Sequence, residues 1–473
     1  MKTWMGCAVL LTLAACGVAA ANVADTAGDD QTDVAVTVYN NGLGFVKDTR
    51  QLDLPVGEVT LAFKDVAERI KPETVNLRSL TDDGSLAVLE QNYEYDLMSP
   101  SKLMEKYVGK TLRLVSLSSD HRFVSVEAEL LSMNEGPVYR VGGDIYLGHP
   151  GQVVLPDVPE DLYATPTLVW MLNNTIQNQR VELSYLTDGF HWKADYVLTL
   201  ARDDRSMDMT GWVTMDNRSG AAYRDAQLKL VAGDVHRAPD FMAKGGFGAV
   251  AEDMAMMRAA PVQEAFGDFH LYTMPRRTTI GRNQSKQLLL LEVNGATAEK
   301  HYELPPAPYY ALYLQAPRHV QPLRDLRPDV YLKFMNREDN NMGMPLPEGV
   351  IRVYQEDSEG LLQFAGEDRI QHTPRDEEVR IKTGKAFDIV AERRQTHYER
   401  LSDRVQEFGI EIEVRNHKDA AISIDVIEQM GGDWRIVENS HEFTERDAHT
   451  LVFTVEVPAR DKTVISYEVR VQH

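Results

Sequence analysis

The chain has 473 residues, and 72 acidic side chains against 50 Lys and Arg give it a formal net charge of −22. Hydrophobic residues at 43% and charged residues at 26% are the balance of a chain that buries a core, which excludes intrinsic disorder. So acidic a surface repels phosphate backbones and anionic lipid, which sets aside nucleic-acid binding and leaves a covalent anchor as the route to a membrane.

Residues 1–30, "MKTWMGCAVLLTLAACGVAAANVADTAGDD", carry one Lys, an apolar run and then small residues. This is the pattern of a secretory signal, too short to span a bilayer. Ala19-Ala20-Ala21 fits ordinary cleavage, with a signal peptide over 1–21. Leu13-Ala14-Ala15-Cys16 fits a bacterial lipobox, in which residues 1–15 are removed and Cys16 is lipidated. Both readings predict an exported chain, either periplasmic or an outer-membrane lipoprotein. The only cysteines, Cys7 and Cys16, lie here, so the mature chain has no internal disulfide and relies on burial and hydrogen bonding.

From residue 30 onward the pattern predicts an all-β protein built of several modules. An N-terminal β module is expected over 30–105. "VAVTVYNNGLGFVKDTRQLDLP" alternates around Asn40-Asn41-Gly42, a hairpin signal because Asn and Gly accept positive φ. "SPSKLMEKYV" predicts one short helix, with Ser99 as cap and Pro100 in the first turn. Four or five short strands then fit into 106–160, predicting a small SH3-like, barrel-like insertion.

A central β-sandwich is expected over 161–320. "QRVELSYLTDGFHWKADYVLTL" predicts a hairpin turning at Thr187-Asp188-Gly189, and "MTGWVTMDNRSGAAYRDAQLKLVAGDV" a second strand pair. Residues 236–266 break the alternation and predict a long mobile loop. "APRHVQPLRDLRPD" marks a boundary. Residues 321–473 alternate cleanly, with turn residues about every 10 positions, as a C-terminal immunoglobulin-like β-sandwich requires. "GWVTMDNRSGAAYRDAQLKLV" and "EIEVRNHKDAAISIDVI" echo each other, each a strand, an Asn with a polar turn, and a strand. That echo predicts two related sandwiches.

Taken with "VYNNGLGFVKDTRQLDLPVGEVTLAFKDV", "ELSYLTDGFHWKADYVLTL" and "FHLYTMPRRTTIGRNQSKQL", these segments resemble a bacterial family of unknown function that includes mucoidy-inhibitor-A-like proteins. The chain resembles a shorter branch, with the small-barrel pattern where longer members carry a coiled-coil insertion. The resemblance implies a role in envelope or exopolysaccharide homeostasis. It supplies no reaction and no catalytic residues.

Candidate site residues come from short patterns. Gly-Asp-x-His occurs on both sides of the loop, as Asp234 with His236 and Asp268 with His270. If the loop ends pair as neighbouring strands, two His and two Asp gather as a divalent-metal site. The plainer alternative is acidic strands carrying a chance repeat on solvent faces. Met242, Met254, Met256 and Met257 give the loop soft thioether ligands for Cu(I), or flexible contacts for a partner. Trp192, Trp212 and Trp434 are candidates for carbohydrate contact; the first two also suit a sandwich core, and Trp434 follows a turn. Arg393, Arg394, His397 and Arg400 form a basic stretch that reads either as an acid-binding patch or as a charge-balanced strand end. No nucleophile elbow, P-loop or dinucleotide fingerprint is present. The leading expectation is a non-catalytic binding or scaffold protein of the envelope, whose partner is an envelope protein or polysaccharide. The rival is a metal-dependent or carboxylate hydrolase acting on an envelope polysaccharide.

Overall fold

Period-two alternation becomes strand almost everywhere. In Gln31–Tyr39, Val34, Val36 and Val38 are buried while the residues between them are not. In Phe190–Leu200, Phe190, Trp192, Ala194, Tyr196, Leu198 and Leu200 all face inward. The computed structural model describes residues 22–94, 99–117, 121–149, 151–159, 162–233, 262–266, 269–307 and 321–472, and these are all-β apart from one short helix and three 3₁₀ turns. That helix, Pro100–Lys106, begins where Ser99 predicts, because the Ser99 hydroxyl accepts the Lys102 N–H at 3.2 Å. Among the described residues no helix is long and apolar enough to cross a membrane.

Among the described residues the strands form six sheets. The largest has eight strands: Val262–Phe266, Phe269–Thr273, Tyr223–Ala232, Gln31–Tyr39, Leu43–Leu52, Gln179–Asp188 and Asn76–Ser79 in order, with Thr278–Ile280 added beside Tyr223–Ala232. A five-stranded sheet orders Gln284–Thr297, Ser206–Asn217, Phe190–Leu200, Gly349–Glu356 and Leu362–Ile370. A four-stranded sheet joins Asn22–Thr26, Gly57–Lys64, Thr167–Asn174 and Leu86–Glu94. One continuous core, from Val34 to Ile381, is shared by these sheets and by Asp329–Met335 and Glu378–Lys385 of a further sheet. The first strands therefore pair with partners far along the chain: Gln31–Tyr39 runs parallel to Tyr223–Ala232, and Leu43–Leu52 antiparallel to Gln179–Asp188.

The hairpin at Asn40-Asn41-Gly42 forms as its residues predict, with Gly42 at φ +83°. The turn expected at Thr187-Asp188-Gly189 is not a hairpin. Gln179–Asp188 and Phe190–Leu200 lie in different sheets, so Gly189 is a corner between layers. Its φ is +95°, and a Cβ there would sit 2.6 Å from the Arg218 carbonyl oxygen, so only glycine turns this corner without strain. The pair expected over 209–235 also splits, Ser206–Asn217 into one sheet and Tyr223–Ala232 into the other.

The two echoing segments are the same corner built twice. Buried Asn217 donates from Nδ2 to the Ala221 carbonyl at 2.8 Å and accepts the Ser219 N–H on Oδ1 at 3.0 Å. Buried Asn416 donates to the Ala420 carbonyl at 2.9 Å and accepts the Lys418 N–H at 3.0 Å. Each amide also reaches a distant strand end, Gly281 in one case and Val457 with Pro458 in the other. Each then launches a strand into the opposite sheet, where it pairs parallel with an earlier one. A side-chain amide with two donors and an acceptor satisfies backbone groups that the change of sheet would orphan.

Residues 106–160 hold a five-stranded antiparallel sheet with its own small core, centred on Leu112, Leu114, Leu130 and Tyr139. The expected barrel is not closed. The end strands, Asp144–Leu147 and Gln152–Val154, pair inward with Val138–Val141 and Thr111–Leu117, and among the described residues not with each other.

The C-terminal residues form a two-sheet sandwich around a second core. One sheet has six strands: Glu378–Lys385, Asp329–Met335, Glu299–Leu304, Ile422–Gln429, Thr450–Val457 and Thr444–Asp447. The other orders Leu323–Leu326, Ile389–Arg400, Val405–Asn416, Lys462–Gln472 and Asp433–Asn439. Glu299–Leu304 enters this sandwich from the preceding span, and Gly349–Glu356 with Leu362–Ile370 leave it for the central sheet. A buried Arg393–Glu428 pair at 2.8 Å, with Tyr467 donating to Glu428 at 2.8 Å, lies inside, so Arg393 belongs to the core rather than to a surface patch.

Candidate functional site

The strands that flank the loop pair, and Val262–Phe266, expected inside the loop over 236–266, is itself a strand of that sheet. Phe269–Thr273 pairs antiparallel with Tyr223–Ala232, and His270 stands opposite Ala232. On its other side His270 stands opposite Ala265, and its Nδ1 lies 2.8 Å from the Gln263 amide nitrogen. His270 is half-buried. Asp234, His236 and Asp268 lie outside the described residues, as do Met242, Met254, Met256, Met257 and Cys16. Trp434 is the second residue of Asp433–Asn439, half-buried against the C-terminal core, and donates its indole N–H to the Ala448 carbonyl at 2.8 Å. Its polar handle is therefore already used. Trp212 is half-buried on the outer face of Ser206–Asn217.

A pocket of about 180 Å³ gathers several groups that the sequence keeps apart, among them Asn40, Trp192, Asp195, Glu348, Arg352 and Arg369. The Gly189 N–H donates to the Gly42 carbonyl at 3.1 Å, which ties the corner to the first hairpin turn. Gly42 packs on His191, where a Cβ would sit 3.0 Å from the ring. This contact brings Asn40 beside Trp192. The third wall is Gly349–Glu356, parallel to Phe190–Leu200, with Ala194 opposite Gly349. A Cβ at Gly349 would sit 2.3 Å from the Ala194 carbonyl oxygen, so the approach requires glycine.

The lining has an unusual feature. Trp192 is 7% exposed, and its Nε1 is buried with no hydrogen-bond partner. Asn40 Oδ1 is also buried without one. His372 accepts the Glu348 N–H on Nδ1 at 3.1 Å, which leaves its proton on Nε2. That nitrogen faces the Asn40 amide at 3.5 Å, where little bonding remains. Asp195 is held in place by Arg352 at 3.1 Å and Lys193 at 3.1 Å, and Arg352 also reaches Glu367 at 3.2 Å. Arg369 is exposed at the rim and makes no ion pair among the described residues.

A second cavity of about 180 Å³, lined by Lys300, Tyr331, Gln355 and Lys385 among others, differs in this respect. Lys300 and Gln355 both bond Asp204 at 2.6 Å, and Lys385 bonds Asp329 at 3.0 Å. A buried donor without an acceptor costs about 1–3 kcal/mol. Of these two cavities, only the one lined by Trp192 and Asn40 includes residues with such buried unpaired atoms. The sequence offered Trp192 as a carbohydrate contact or a core residue; it is buried in the core and lines this pocket. Asn40 was legible only as a turn residue, and His372 and Arg352 gave no signal, since long-range pairing alone brings them here. No protein-family model and no curated protein matches the chain.

Proposed function

We propose that this is an exported envelope protein that binds a glycan without transforming it, using the Trp192 pocket to hold one sugar unit. The unpartnered Trp192 N–H is the observation that carries the reading. A sugar hydroxyl both accepts and donates, so it suits an indole N–H beside an amide oxygen, and the Asp195 carboxylate and Arg352 guanidinium supply further partners. The volume is below the ~300 Å³ at which drug-sized sites begin, which suits a single ring rather than a longer oligomer. A net charge of −22 disfavours polyanionic chains and favours neutral, hydroxyl-rich ones. The export signal, the Cys16 lipobox and the resemblance to mucoidy-inhibitor-like proteins support an envelope address and a polysaccharide partner.

Calorimetric titration of the mature chain with neutral and acidic oligosaccharides from bacterial envelopes tests this. A neutral oligosaccharide should bind, and Trp192→Phe, which removes the N–H and keeps an aromatic ring, should weaken it by about 3–10-fold. Equal affinity in Trp192→Phe would sink the pocket assignment. Release of new reducing ends by the wild-type chain would replace binding with hydrolysis.

A further inference from the structure

Glu299–Leu304 contains His301-Tyr302-Glu303. Tyr302 points into the C-terminal core, so strand alternation turns His301 and Glu303 to the opposite face. The parallel neighbour Ile422–Gln429 places Asp425 directly across from Glu303. The three side chains converge there, with His301 Nε2 at 3.0 Å from Asp425 Oδ2 and 3.4 Å from Glu303 Oε1. All three ligand atoms lie within 4.8 Å of one another. Among the described residues this is the one such group of His, Cys, Asp and Glu.

The geometry points to a binding site for a divalent metal of the zinc class, held by His301 Nε2, Glu303 Oε1 and Asp425 Oδ2. Zinc bonds nitrogen and carboxylate oxygen at about 2.0–2.1 Å, so ligand atoms on a tetrahedron around it stand about 3.3 Å apart. The 3.0 and 3.4 Å separations bracket that edge. The outer oxygens are already committed and fix the carboxylates in orientation. Thr454 donates to Asp425 Oδ1 at 2.7 Å, and Arg380 donates to Glu303 Oε2 at 2.5 Å. Such outer partners are what a metal site uses to aim its ligands. One imidazole with two carboxylates suits a borderline ion better than Ca²⁺ or Mg²⁺, which take all-oxygen shells. His301 and Asp425 keep 17% and 14% side-chain exposure, so an ion can enter from solvent and a water can complete the shell. The bound ion would clamp the strand by which the chain enters the C-terminal sandwich to its neighbour 122 residues later, as Tyr302 pairs with Ile424 and Glu303 with Asp425. This site shares no residue with the loop-flanking Asp234, His236, Asp268 and His270.

The test is calorimetric titration of the tag-free mature chain with ZnCl₂ after EDTA treatment and dialysis, with thermal melts in parallel. About one ion per chain should bind with micromolar or tighter Kd and raise the melting temperature. His301→Ala and Asp425→Asn should each weaken binding by more than about tenfold, while His270→Ala leaves it unchanged. The proposal is overturned if the wild type binds no zinc, if either ligand variant keeps wild-type affinity, or if His270→Ala abolishes binding. Should His301→Ala fail to fold in EDTA, the near-isosteric Asp425→Asn decides alone.

Discussion

Trp192 and Trp170 make a matched pair for testing whether the pocket wall carries an unsatisfied donor. Both are large core side chains, at 7% and 0% exposure. Trp170 donates its indole N–H to Gln91 Oε1 at 3.0 Å, whereas the Trp192 N–H has no partner. Replacing either by Phe removes the same ring atoms and leaves a similar void, at a cost of about 1–2 kcal/mol. At Trp170 the substitution also forfeits a hydrogen bond worth about 0.5–1.5 kcal/mol. At Trp192 it removes a buried donor that costs about 1–3 kcal/mol while unpaired, so the void is largely offset. Trp170→Phe should therefore destabilise by about 2–3 kcal/mol, and Trp192→Phe should be close to neutral. Urea denaturation of the mature chain, followed by far-ultraviolet circular dichroism, reads the difference as a shift in midpoint at constant slope. Equal destabilisation by the two variants would refute the reasoning, because it would mean that ordered water already satisfies Trp192 in the free protein.

Two further outcomes follow from the corners and the buried ions. Asn217→Ala and Asn416→Ala each orphan several buried backbone groups, so each should cost about 2–4 kcal/mol in the same denaturation assay, and similar values for the two would support the shared corner. A pair of near-zero values would show that water replaces the amide. Burial pushes the Asp329 carboxyl up, but hydrogen bonds from Lys382 and Lys385 outweigh it and hold it below its ordinary 3.8. A lowered folded-state value gives stability that is present above 3.8 and is lost as pH falls through the lowered value. Wild-type melting temperature should thus fall more steeply below about pH 4 than that of Asp329→Asn, and parallel slopes would remove Asp329 as a cause.

Much of the secondary structure was legible because alternation, turn residues and caps are local. The strand at 31–39, the Asn40–Gly42 turn and the Ser99 cap all follow from residues within a few positions of one another. The misreadings share one origin. "YLTDGFHW" and "MDNRSGAAY" carry the polarity and glycine of hairpin turns, and alternation continues on both sides. A corner that passes a strand into the facing sheet uses the same residues, since it also needs positive φ and side-chain hydrogen bonds. The echo between residues around Asn217 and Asn416 was visible, but not its meaning as a twofold use of one corner. Of the candidate site residues, Trp192 was legible as a buried strand residue, but its unpartnered N–H was not. His301 and Glu303 sit two apart on a strand, a spacing too common to notice without Asp425.

The sequence by itself determined that this chain is all-β and puts its apolar residues on one face of nearly every strand. These are properties of composition and of a two-residue repeat, which need no knowledge of partners. Only the tertiary structure decided which strands share a sheet, that the small insertion stays open, and that Asn40, Trp192 and Arg352 line one pocket while His301, Glu303 and Asp425 meet on one sheet face. The physical reason is that a strand's pattern fixes which side is buried but not which strand lies beside it. That choice is set by pairing across more than a hundred residues, where the shape of the shared core, rather than any local signal, selects the partner.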